Sequence, residues 1–68
     1  MARREIEPGQ KYRQPGGSAL WVVMDVVSDG EGIAHARLVR GDDPTSVKMI
    51  SCSALKDGKL FRLVEDGP

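Results

Sequence analysis

Cysteine is nearly missing from this chain. Cys52 is the only one in 68 residues, so no intrachain disulfide can staple a small core. Small secreted domains usually depend on such staples, which makes a reducing, cytoplasmic setting the expectation. Aromatic residues are scarce, with one tyrosine (Tyr12), one tryptophan (Trp21) and one phenylalanine (Phe61). An excess of either charge is also missing, because ten Lys and Arg stand against ten Asp and Glu. Obligate nucleic-acid binders usually carry a clear basic excess, so that class is disfavoured. No long apolar run exists either. Ala19–Met24 is the longest and stops at Asp25, whereas a membrane span needs about 20 apolar residues. The start Met1-Ala2-Arg3-Arg4 is basic but has no apolar stretch behind it, unlike a secretory leader. One Cys and one His fall short of the roughly four ligands of a structural zinc site. The glycines match neither a phosphate-binding loop nor a dinucleotide fingerprint. No metal and no cofactor are therefore expected.

What is present reads as strand. Leu, Ile, Val and Phe make up 16 of 68 residues, above the roughly 20% below which highly charged chains stay disordered. Gly and Pro punctuate the chain at Pro8-Gly9, Pro15-Gly16-Gly17, Gly30-Glu31-Gly32, Gly41-Asp42-Asp43-Pro44 and Asp57-Gly58. The intervals Lys11–Gln14, Ala19–Val27, Ile33–Arg40, Val47–Cys52 and Leu60–Val64 are rich in β-branched residues, and none holds three turns of helical spacing. Five short strands at regular spacing predict an all-β domain, a small five-stranded barrel or sandwich, over residues 7–64. Residues 1–6 read as a flexible leading segment and 65–68 as a frayed tail.

A hairpin turn centred on Gly30 would place Leu20, Val22, Met24 and Val26 on the core face, opposite Arg40, Leu38, Ala36 and Ala34. The other face would then carry Trp21, Val23, Asp25 and Val27 against Val39, Arg37, His35 and Ile33. A bulge near Asp25 would switch this phase. Ser53-Ala54-Leu55-Lys56 reads as one helical or 3-10 turn, N-capped by Ser53 and stopped by Gly58, with Leu55 plugging the end of the core. In the last strand, either Phe61 and Leu63 or Leu60 and Val64 point inward.

The order of Pro8-Gly9-x-x-Tyr12, a long bent second strand, two more strands, a helical turn and a final strand resembles the SH3-like β-barrel. The likeness is to its Tudor-like and KOW-like branch, and to small bacterial proteins that carry such a barrel alone. It implies a single barrel over most of the chain.

Several residues are candidates for chemistry. Cys52, His35 and Asp25 are the types of a nucleophilic site, but no signature surrounds them, and a small core cysteine with a cross-strand Asp25–His35 pair is the plainer expectation. Asp42, Asp43 and Thr45 belong to ordinary turn chemistry. Arg37, Arg40 and Lys48 on neighbouring strands would make a basic stripe able to hold a single-stranded nucleic acid, which is the alternative function. The leading expectation is a non-enzymatic protein-interaction module, homodimeric through an outer hairpin face. Its interface residues would be Trp21, Val23, Val27, Ile33, Val39 and Arg37, with surplus apolar surface needing a partner.

Overall fold

The computed structural model describes residues 5–65; most of the expected leading segment and of the expected tail lies outside these described residues. The chain forms β1 (Lys11–Arg13), β2 (Leu20–Ser28), β3 (Ala34–Arg40), β4 (Asp43–Ser51), a short helix α1 (Cys52–Asp57) and β5 (Arg62–Glu65). The strands make one open antiparallel sheet in the order β4-β3-β2-β1-β5. The fold is mostly β, with one short helix before the last strand.

The β2–β3 hairpin departs from the expected register. Asp29 and Ile33 close its loop, with the Asp29 amide donating to the Ile33 carbonyl. The Asp29 carboxylate also accepts the amides of Glu31 and Ile33. Glu31, not Gly30, is therefore the centre, and Gly32 supplies the left-handed residue at φ 83. A bulge between Val23 and Asp25 inserts Met24 into β2. Beyond it Val26 faces Ala36, and before it Val23 faces Leu38. The core face of β3 is the expected one, Ala36 and Leu38. The first half of β2 is inverted: Trp21 and Val23 point inward, and Leu20 and Val22 do not.

That inversion builds the core. Tyr12, Trp21, Val23, Ala36, Leu38, Leu55 and Phe61 are buried together, with Ile6, Ile50 and Cys52 packed against them. Trp21 retains 6% of its surface and meets Phe61 edge to face at 6.4 Å, the arrangement that aromatic quadrupoles prefer. Of the two expected pairs only Phe61 is buried; Leu60 and Val64 are exposed, and so is Leu63. Leu55 is the buried residue of α1, as its plugging role requires. The helix begins two residues earlier than expected, because Ser51, not Ser53, is its N-cap and its side chain accepts the Ala54 amide. Gly58 ends it at φ 83.

Gln10 is the buried polar residue of this core. Its amide group accepts from the Glu7 amide and the Tyr12 hydroxyl, and donates to the Glu5 carbonyl. A buried amide without partners would be costly. These bonds tie Glu5 and Glu7 to the sheet, and Ile6 between them packs on the core.

Candidate interaction surface

The face of the sheet away from the core carries aligned rows of partly or fully exposed apolar side chains. Residues directly opposite one another on a ladder share a face. Val22, Val39 and Val47 are so aligned across β2, β3 and β4, and Lys11 of β1 extends the row. The next row holds Asp25, Arg37 and Met49, and the one after it Val27, His35 and Ser51. Val47 and Met49 are 53% and 57% exposed, and Met24, Val27 and Ile33 are exposed as well.

An ion pair sits among these apolar side chains. Arg37 grips Asp25 with two donors, Nε lying 2.7 Å from Oδ1 and Nη2 against Oδ2. Such a fork is planar and directional. The hydrogen bonds from Arg37 hold the Asp25 carboxyl below its usual range, and Asp25 in turn raises the guanidinium. The face is consequently neutral at its centre.

Four of the six expected interface residues, Val27, Ile33, Val39 and Arg37, lie on this side. Trp21 and Val23 do not, because the Met24 bulge turns them inward. Their places are taken by Val22, Val47 and Met49. The signal for β4 was obscured by Pro44. The strand begins at Asp43, and residues 44–46 bulge out between the Arg40–Asp43 and Val39–Val47 pairs. Asp43 organises this bulge by accepting from the hydroxyls of Thr45 and Ser46 and from the Thr45 amide, which lowers its carboxyl below the usual range. With Pro44 in the bulge, its missing N–H interrupts no ladder bond.

The expected basic stripe is split between the two faces. Arg37 lies outside, paired with Asp25. Lys48 lies on the core face opposite Leu38, its ammonium 5.3 Å from the Trp21 ring centroid. Arg40 is aligned with Trp21, and its Nε lies 2.7 Å from Asp42 but off the N–H direction, so the contact is ionic.

The expected Asp25–His35 cross-strand pair does not form. Asp25 pairs with Arg37 and not with His35, whose Nδ1 lies 3.9 Å from Asp29 and 3.1 Å from the Ile33 carbonyl. Partial burial pushes the Cys52 thiol up, away from the thiolate that a nucleophile requires. An open groove of ≈ 720 Å³ runs beside α1, lined by Ile6, Tyr12, Leu55, Lys56, Phe61 and Leu63 among others. Its walls mix apolar side chains with Ser53, Lys56 and Asp57, and Lys56 lies 3.8 Å from Glu5. Among the described residues no group of three or more His, Cys, Asp or Glu could hold a metal ion, and no helix is long and apolar enough to cross a membrane.

No family model, curated protein or solved structure matches this chain.

Proposed function

We propose that this chain is a non-enzymatic SH3-like barrel acting as a protein-interaction module, and that its outer β2–β3–β4 face binds a second copy of itself. The fold assignment is supported by the strand order, in which β1 lies between β5 and β2 and a helical turn precedes β5. The bend of β2 at Met24 supports it further, since a bulge curves a strand. One observation carries the functional reading: three valines aligned across three strands, continued by exposed Met49, in a chain too small to cover that face itself. A second copy suits the surface because two-fold pairing lays each apolar row against its equivalent. The Asp25–Arg37 pair has already neutralised the charge that would otherwise oppose such contact.

Light scattering over a concentration series at two salt concentrations tests this. A mass near twice 7.4 kDa that is insensitive to salt is expected. A monomer at every concentration overturns the self-association.

A further inference from the structure

β1 and β5 pair antiparallel with Arg13 directly opposite Arg62. Such opposed residues have Cβ atoms about 4.5–5.5 Å apart, and like charges there are destabilising. Elsewhere the arginines are compensated, Arg37 by Asp25 and Arg40 by Asp42. Among the described residues, neither Arg13 nor Arg62 has a carboxylate partner. Both are exposed, and both line one concavity of ≈ 270 Å³ with Gln14, Gly16, Gly17 and Val64. Gly16 and Gly17 add no side chain to that concavity, whose loop side also carries Gln14 and Pro15, and a Cβ at Gly16 would meet nothing within 4 Å. Two permanent cations thus line one small open hollow with no carboxylate partner among the described residues.

We infer that the Arg13–Arg62 pair is an anion site that takes a phosphate group. A guanidinium is charged at any working pH and presents its donors as a rigid fork. A lone carboxylate carries a single negative charge and would leave one arginine uncompensated. A phosphate has enough oxygens for both forks, and as a doubly charged monoester it balances both charges. The overall charge of zero does not oppose this, because the local excess on β1 and β5 is what an anion meets. The site uses none of the residues of the outer β2–β3–β4 face and does not depend on self-association. The phosphate has two sources to distinguish: a small phosphorylated molecule, whose one monoester group balances both arginines, or a single-stranded nucleic acid, which balances them only with two successive, singly charged diester phosphates.

The test is an amide-resolved NMR titration of the full chain at fixed ionic strength. One arm uses pyrophosphate and the other an oligothymidylate of about ten nucleotides. Saturating shifts centred on Arg13, Gly16, Gly17 and Arg62 are expected. Arg13→Gln and Arg62→Gln should each raise Kd by about tenfold or more. Lys59→Gln, which removes the same charge elsewhere, should leave Kd nearly unchanged. Pyrophosphate affinity equal to or tighter than that of the oligonucleotide, per phosphate, assigns the site to small phosphates. Markedly tighter oligonucleotide binding that weakens with salt assigns it to a nucleic-acid backbone. Shifts that never saturate or scatter along the chain, or an equal loss in Lys59→Gln, overturn the site. A second readout guards against a purely structural role: without phosphate, Arg13→Gln should raise Tm by relieving the repulsion. A fall in Tm would mean that the arginine supports the ladder, and it too overturns the proposal.

Discussion

At the scale of single residues, Trp21 shows how much one side chain decides. It is sandwiched in sequence between Leu20 and Val22, either of which would serve as a core residue. The ring of Phe61 meets it from the far end of the chain, and the ammonium of Lys48 lies on it. Replacing it with Ala removes the largest buried side chain and leaves a cavity, at a cost of about 3–5 kcal/mol. A domain of this size has roughly 3–10 kcal/mol in all. Trp21→Ala should therefore be largely unfolded or melt far earlier in urea, and a native-like melt would contradict its core role. The carboxylates give a second prediction. Asp25, Asp29 and Asp43 are all held below their ordinary value of 3.8, by Arg37, by the Ile33 and Glu31 amides, and by Thr45 and Ser46 respectively. The folded chain thus binds fewer protons than the unfolded one as pH enters the acid range. Their stabilisation is fully present above pH 4 or so and is lost as pH falls through the lowered folded values. Thermal melts from pH 6 downward should show this loss, and Asp25→Asn should flatten part of it.

At the scale of elements, caps and bulges set where strands begin, end and turn over. Ser51 closes β4 and opens α1 in one step, so Ser51→Ala should cost about 1 kcal/mol by leaving the Ala54 amide without its acceptor. Gly58→Ala forces a Cβ into the left-handed region at no gain in packing, at about 1–2 kcal/mol. Chemical denaturation of the two variants checks both figures. Met24 does the most with the least. It is the one residue whose insertion makes β2 bury Trp21 and Val23 in its first half and yet align Val26 with Ala36 in its second. Strict alternation read through Met24 assigns the second half to the right face and the first half to the wrong one.

At the scale of the whole molecule, the described residues form one sheet with two sides and a core packed on one of them. The inner side is filled by Trp21, Val23, Leu38, Leu55 and Phe61. On the outer side, Met49 stands more than half exposed. Met49→Lys should shift the light-scattering mass toward the monomer while the unfolding free energy of the monomer changes by no more than the roughly 0.5 kcal/mol expected of a surface change. An unchanged mass would remove Met49 from the contact. Helix-poor composition, punctuation by Gly and Pro, and β-branched intervals were enough to read five strands, the helical turn, the Gly58 stop and the Leu55 plug from the chain alone. Those features follow from local propensity and turn chemistry, which act over a few residues. The Met24 bulge, the absorption of Pro44 into β4, the Ser51 cap, the separation of Arg37 from Lys48 and the meeting of Arg13 with Arg62 were decided only in the tertiary structure. Each depends on which distant strand lies alongside, and register between strands is set by the fit of the buried faces. No spacing within a single strand carries that information.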